Sequence, residues 1–459
     1  MDQIRTKIAI SAAIAAVVVI AVPLVGTTEA ESDDVRGMMI DFGYWSVDWI
    51  PMTFHEGTDG YAALDAACGI RGYDAVLRDD GSIYSIDGQS ELENARWAFY
   101  VPAPGGGWAA ADPASTDVSD HRIVCFARAS GAEDVMPGTD GTGLGYQGYA
   151  DGGVSRRTGE ELRIATLAPS VTETLCAVGG ERYIVGTDLY SDHPQGIVDG
   201  QKDGSIAITG GYTDPNYEYI VRLGPDIVFC DGGAGEHLSM ADKLRKSGID
   251  CVVLMNCTGV DALYRNMWIA ASAIGLPENA DSAINGIRST IDGVSGIAGM
   301  TNQRVFASLS ADPSPWTTGS VTYMSDILAL CGSRNVFDSQ SSGWFMVSKE
   351  QIYKKQPQVI IVMQERKVAT EREYRDVLDS LDPLWRQTPA YADGRVFVFS
   401  GAAADILQRP GPRLAEAAEL LCKCLNPEAF SRIDPLDTIP CFFGDDYAQY
   451  LTHQKGAAA

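Results

Sequence analysis

The sequence predicts an α/β protein: two lobes with mostly parallel sheets, joined by a single long helix and preceded by a small β-rich domain. Three observations predict this. From Arg163 onward, short apolar runs alternate with helical stretches: Ile164–Leu167, Tyr183–Gly186, Asp226–Cys230 and Cys251–Leu254. The pattern restarts after residue 300 with Arg304–Ala307, Val359–Val362 and Arg395–Phe399. Between the two series Ala280, Ile284, Ile287, Ile291 and Val294 recur at three- and four-residue intervals, the spacing of one helix face. Strands alternating with helices build parallel sheets covered on both faces. With 459 residues the chain is long enough for two or three domains.

Taken in order, residues 1–30 read as a signal peptide or N-terminal membrane anchor. Arg5 and Lys7 precede an apolar run, Ile8 to Val25. As a helix that run is about 27 Å long, near the ~30 Å of a bilayer core. Its basic flank is N-terminal, so the remainder is expected outside the cytoplasm, secreted or anchored by this segment at the cell surface or in a periplasm-like space. No cysteine follows the run, which argues against a lipid anchor.

Residues 36–130 read as the β-rich domain. Tyr84-Ser-Ile-Asp-Gly and Trp97-Ala-Phe-Tyr-Val alternate as strands do, Gly105-Gly-Gly-Trp108 marks a turn, and His121–Phe126 closes the sheet. Cys68 and Cys125 are candidates to staple it. Residues 131–160, rich in Gly and Asp, are a linker. The first lobe is expected at 161–276, the joining helix at 277–298 with Pro277 in its first turn, and the second lobe at 299–430. A tail, 431–459, carries no readable motif; it either packs on the second lobe or frays. Ser170-Val-Thr-Glu173 reads as a capping box that opens a helix, leaving Ser170 or Thr172 to meet a ligand.

Composition excludes several functions. There are 35 Lys+Arg against 61 Asp+Glu, a net charge of -26, which repels phosphate backbones and excludes nucleic acid as a partner. No GxSxG, HExxH or P-loop is present, so no enzyme and no catalytic cofactor is expected. The five His are scattered and no CxxC occurs, so no metal site is expected. His237, after a Gly-rich turn, is either a lone surface histidine or an axial ligand to a bound cobalt or haem iron. Ten cysteines in an exported chain suit disulfides.

One internal repeat stands out. Glu218-Tyr-Ile precedes Pro225 and a strand; Glu350-Gln-Ile precedes Pro357 and a strand. Two acidic residues thus occupy matching places, either as ordinary solvated carboxylates or as paired contacts.

Five stretches in order carry a resemblance: Arg163-Ile-Ala-Thr-Leu-Ala-Pro-Ser-Val-Thr-Glu-Thr-Leu, Tyr190-Ser-Asp-His-Pro194, Arg222-Leu-Gly-Pro-Asp-Ile-Val228, Cys331-Gly-Ser-Arg-Asn-Val-Phe337 and Val347-Ser-Lys-Glu-Gln-Ile352. Residues 163–430 resemble the ABC-importer binding proteins that carry cobalamin, siderophores and haem, most closely the cobalamin-binding branch. The resemblance implies two Rossmann-like lobes on a helical backbone, the helical-backbone periplasmic-binding-protein fold, with ligand held in a cleft. It implies that Glu218 and Glu350 dock on a membrane permease driven by its ATPase. It implies a disulfide between Cys331 and Cys422. The small-molecule cargo it implies is cobalamin or a related corrinoid, a broad, largely apolar disc fringed with amides. Loops after the strands offer Tyr190, Asp192, Tyr212, Asp231, Trp316, Trp344, Gln408 and Arg409 as ligand contacts. Arg409 matches an arginine in the family's cleft and Trp316 an aromatic. Asp231 stands where the cobalamin branch has a tryptophan, and its other tryptophan falls near Gly211-Tyr212, so the aromatic cage is altered.

Gly81-Ser-Ile-Tyr-Ser-Ile-Asp-Gly-Gln, Trp97-Ala-Phe-Tyr-Val and Gly107-Trp108 resemble the C-terminal β-domain of the transcobalamin and intrinsic factor carriers. In those carriers the domain covers one face of cobalamin. Two alternatives remain beside a corrinoid carrier. One is the same fold with a ferric siderophore or haem, served by Arg409, Arg413 and Tyr190. The other is a non-transport cell-surface binding or adhesion protein.

Overall fold

The computed structural model describes residues 37–135, 162–254, 257–431 and 439–452, apart from 44–46, 72, 92–94, 104–107, 122, 133–134 and 341. The N-terminal apolar segment, most of the expected linker and the glycines before Trp108 lie outside the described residues. Among the described residues no helix is long and apolar enough to cross a membrane. The chain forms two compact units, one of residues up to 256 with 264–277, the other of 257–263 with 278 onward.

The first unit opens with β1 (Gly37–Asp41), β2 (Val47–Pro51), α1 (Gly60–Arg71), β3 (Ala75–Leu77), β4 (Ile83–Ile86), β5 (Gln89–Ser90), β6 (Arg96–Pro102), β7 (Trp108–Ala111) and β8 (Ile123–Ala129). A five-stranded sheet runs β2-β1-β8-β6-β7, and a three-stranded one β3-β4-β5. β1 and β8 pair in parallel, the other neighbours antiparallel. Helix α1 was not legible as one; its buried Ala63, Leu64, Ala67 and Cys68 join the face bearing Met38, Ile40, Val124 and Phe126. Cys125, between Val124 and Phe126, faces the other side, as strand alternation requires. The expected Cys68–Cys125 staple is therefore absent, and both are free thiols. Trp97 and Trp108 are buried rather than displayed, and Trp97 Nε1 donates to Gln89 O at 2.9 Å.

The same unit continues with β9 (Ile164–Thr166), α2 (Pro169–Ala177), β10 (Ile184–Thr187), α3 (Gln195–Asp203), β11 (Ala207–Ile208), α4 (Tyr217–Leu223), β12 (Ile227–Asp231), α5 (Gly235–Lys246), β13 (Asp250–Leu254) and most of α6 (Val260–Ala273). Its sheet runs β11-β10-β9-β12-β13, with every pair parallel. The order reverses between β9 and β12, the place where open α/β sheets receive ligands at their strand carboxyl ends. The expected capping box is not formed. Ala168 is the N-cap, without a side-chain bond, and Pro169 begins the helix, so Ser170 and Glu173 lie inside it. Proline's preset φ and absent N–H suit that first position and move the start upstream.

The β-rich part and this lobe are one packed body. A continuous apolar cluster includes Met38, Ile50 and Phe126 from the first sheet, Val228 and Val253 from the second, and Leu244 from α5. Every residue of α6 from Tyr264 to Ala271 is buried, so both faces of that helix are covered. Arg265 on α6 donates to Asp48 on β2 at 3.1 Å, with 2% and 3% of the side chains exposed. Asp48 also accepts from Arg71 at 2.8 Å and from the Tyr73 hydroxyl at 3.0 Å. Burial raises the Asp48 pKa, but the two guanidinium charges and these bonds outweigh it and hold the carboxyl below its usual value.

The second unit holds α7 (Pro277–Ala298), β14 (Arg304–Ser308), β15 (Trp316–Thr318), α8 (Tyr323–Leu330), β16 (Arg334–Asn335), β17 (Trp344–Met346), α9 (Lys349–Lys355), β18 (Val359–Gln364), α10 (Glu371–Ser380), α11 (Pro389–Ala392), β19 (Val396–Ser400), α12 (Ala402–Gln408), α13 (Leu414–Leu425), α14 (Pro427–Phe430) and β20 (Phe442–Phe443). On α7 the stripe of Ala280, Ile284, Ile287, Ile291 and Val294 is buried. The sheet runs β17-β15-β14-β18-β19-β20, with β16 also on β14. β15 and β17 are antiparallel additions to a parallel core. The tail supplies β20, parallel to β19. It is held by Phe443 stacking on Phe399 at 4.8 Å and by the Lys367–Asp445 pair.

Candidate functional site

In the first unit the sequence-predicted residues gather at the strand carboxyl ends. Asp188, buried after β10, accepts from the Tyr190 N–H at 2.8 Å and from the Ser191 hydroxyl. That turn holds Tyr190 with 54% of its surface exposed. Leu189, which sequence reading missed, is equally open at 55% and donates its N–H to Gly210 O at 2.9 Å. The loop after β10 is thereby tied to the loop after β11. Gly210 has φ 131°, and a Cβ there would stand 2.7 Å from Asp214 O, so only glycine fits. A Cβ on Gly211 would sit 3.8 Å from the Tyr190 ring, so Tyr190 lies close to the loop after β11. Asp192 is exposed on the same loop.

Tyr212 and Asp231 are joined through His237. The Tyr212 hydroxyl donates to Asp231 at 3.0 Å. Burial and the Asp231 carboxylate push the Tyr212 pKa up, so it remains a neutral donor. The Asp231 N–H donates to His237 Nδ1 at 3.1 Å, which leaves Nε2 to carry the proton and donate to Tyr212 O at 2.7 Å. His237 is fully buried, and both ring nitrogens are occupied. It is therefore neither a surface histidine nor an axial ligand but the brace between two loops. Thr172 is likewise withdrawn from any ligand: its buried hydroxyl bonds Thr166 at 2.6 Å and Ser191 at 2.7 Å.

In the second unit β15 and β17 present a flat aromatic surface. Trp316 pairs with Met346 and Thr318 with Trp344. Directly opposed residues share a face, so both tryptophans and Met346 lie on one side of the ribbon. Trp316 is 49% exposed and Met346 60%. Met346 was invisible to sequence reading because only strand register sets it beside Trp316. Half-buried Trp344 meets Tyr323 at 6.2 Å, and the Tyr323 hydroxyl donates to Leu407 O at 2.9 Å. This fixes the end of α12, where Gln408 and Arg409 lie half-buried. Arg409 Nη2 pairs with Asp405 at 2.9 Å, one helical turn back.

Glu218 lies exposed on α4 and Glu350 exposed on α9. Cys331 and Cys422 are fully buried with their sulfur atoms 2.6 Å apart, each a free thiol in this structure. Among the described residues no group of three or more His, Cys, Asp or Glu is placed to hold a metal ion.

The family described as periplasmic binding protein matches residues 164–402, just over half of the chain. The chain belongs to the periplasmic binding protein family. Periplasmic binding proteins of this kind are the substrate-binding components of ABC importers, not enzymes. They deliver small molecules to a permease and work outside the cytoplasm. An uncharacterized ABC transporter substrate-binding lipoprotein, YvrC, of Bacillus subtilis (strain 168) is 25% identical over 276 residues, 59% of this chain and 82% of the relative. A vitamin B12-binding protein of Pectobacterium carotovorum is 27% identical over 271 residues, 58% of this chain and 88% of the relative. Among solved structures, the periplasmic vitamin B12 binding protein BtuF of Vibrio cholerae covers 58% of this chain and 97% of its own, at 26% identity and TM-score 0.47. The periplasmic heme-binding protein RhuT of Roseiflexus sp. RS-1 covers 58% and 99%, at 22% identity and TM-score 0.49. The periplasmic binding protein match begins at residue 164, so the β-rich part precedes it.

Proposed function

We propose that this periplasmic binding protein captures a corrinoid and delivers it to the permease of an ABC importer. The observation that carries the choice of cargo is the Trp316–Met346 face, a flat, open, apolar surface on rigid strands, suited to a broad ring. Charge supports the same reading. Asp192 and Asp231 line the first rim, and Arg409 is already paired with Asp405. On each unit taken by itself, these acidic or already paired groups suit an amide-fringed disc better than the carboxylates of haem or an anionic siderophore. Tyr190, Tyr212, Trp344 and Gln408 are the remaining contacts in this reading.

Calorimetric titration with cobalamin, its cobinamide precursor and haem tests the cargo. A corrinoid is expected to bind 1:1, and Trp316→Ala to weaken it at least tenfold, about 1.4 kcal/mol. Tight haem binding with no corrinoid binding overturns the choice. Delivery rests on Glu218 and Glu350 as contacts with permease cations. The double variant Glu218→Ala, Glu350→Ala is expected to lose uptake and keep its ligand affinity; normal uptake would sink the docking role. Cys331 and Cys422 are adjacent, and in an oxidising compartment we expect a disulfide. Intact mass after alkylation, with and without reductant, reads it directly.

A further inference from the structure

Helices α4 and α9 match far beyond their glutamates. Each has seven residues and leads into an inner strand of its sheet, β12 or β18. Each has a side-chain N-cap: Asn216 accepts from the Tyr219 N–H, and Ser348 from that of Gln351. Each ends in a left-handed residue, Gly224 at φ 63° and Gln356 at φ 47°. Counted from the first helical residue, position two is an exposed glutamate, Glu218 or Glu350. Position four is a fully buried isoleucine, Ile220 or Ile352. Position five is a large apolar side chain left in water, Val221 at 38% exposure or Tyr353 at 39%. Position six is an exposed cation, Arg222 or Lys354.

Positions two and five are three residues apart and share the outward face of the helix. One exposed apolar side chain is ordinary. The same exposure, at the same position of two equivalent helices, beside the same carboxylate, is not accounted for by folding, because the buried isoleucine already anchors each helix. A carboxylate next to an open apolar side chain fits a partner with a cation beside an apolar pocket. Two copies of that surface fit a partner that presents it twice.

We infer that Val221 and Tyr353 are the apolar halves of two equivalent docking contacts, and that the occupant is a two-subunit permease offering one cation and one apolar pocket per subunit. This rests on the importer reading above. The test measures association of the full chain with the importer's detergent-solubilised permease, and corrinoid affinity alongside. Val221→Asp and Tyr353→Asp are each expected to weaken association at least tenfold, and together at least a hundredfold, with ligand affinity and circular dichroism unchanged. Tyr353→Phe is expected to associate normally. If the glutamate variants weaken association and the apolar ones do not, this inference fails and the importer reading stands. If only one apolar variant acts, the two-copy claim fails. If neither set acts, the docking reading itself fails.

Discussion

Asp48→Ala is expected to destabilise the first unit by about 3–5 kcal/mol, the cost of stranding buried charge when one partner of a buried ion cluster is removed. The carboxylate accepts from both Arg71 nitrogens at 2.8 and 3.2 Å, from Tyr73 at 3.0 Å and from Arg265 at 3.1 Å. Its removal leaves two guanidinium groups in a nearly dry site. Arg71 closes α1 and Arg265 lies on α6, far along the chain, so the loss should spread across both. Urea unfolding gives the magnitude, and amide exchange gives its location. Faster exchange in β2 and α6 together is the expected result. Faster exchange in β2 alone would mean that the cluster serves only the β-rich part. The pH dependence has a definite sign. The folded-state pKa is depressed, so the contribution is full above the unfolded value of about 3.9 and is lost as pH falls through the folded value. Asp48→Asn should therefore flatten the acid limb of stability and leave the neutral region at a constant deficit. The same contacts mean that deleting residues 36–130 would uncover apolar surface on the lobe. Ligand binding is properly tested with the full chain.

Lys423→Met is expected to free the tail. Lys423 and Glu419 are 1% and 0% exposed, and the ammonium donates to Glu419 at 2.6 Å, to Tyr450 O at 2.5 Å and to Thr452 Oγ1 at 2.8 Å. Glu419 also accepts the Thr452 N–H at 2.6 Å. Removing the cation leaves a buried carboxylate and costs about 3–5 kcal/mol. Brief proteolysis should then trim residues 441–452, which β20 otherwise holds in the sheet. Adding Glu419→Leu should recover part of the loss, because the stranded charge is then gone. Additive losses in the double variant would show that the two residues do not act as a pair.

The sequence legibility of this chain follows from the range of each interaction. The stripe on α7 was readable because helix periodicity is local, and so were the apolar runs of β9, β10, β12 and β13. The Glu218 and Glu350 repeat was readable because both lie in the same short context before a strand. Helix α1 was not, since its apolar residues, with Gly69 inside, make a weak pattern that acquires a face only against β1 and β8. The capping box at Ser170 misled because Pro169 starts the helix two residues before a Ser170 cap would, with Ala168 as the N-cap. His237 was misread because its two partners, the Asp231 amide and the Tyr212 carbonyl, come from separate loops. Cys68 and Cys125 were paired by count, whereas strand alternation puts one on each face of the sheet.

By itself the sequence determined the class of the fold, the alternation of its main parallel strands with helices, the family and the positions of the two glutamates. All of these reside in periodicity and short motifs, which survive without knowledge of what touches what. Only the tertiary structure decided that the β-rich part shares a core with the first lobe, that Met346 stands beside Trp316, and that the tail completes a sheet. Those outcomes depend on register and on buried charges meeting across long stretches of chain, such as Asp48 with Arg265 and Lys423 with Thr452. Their free energy comes from desolvated contacts that no local pattern records.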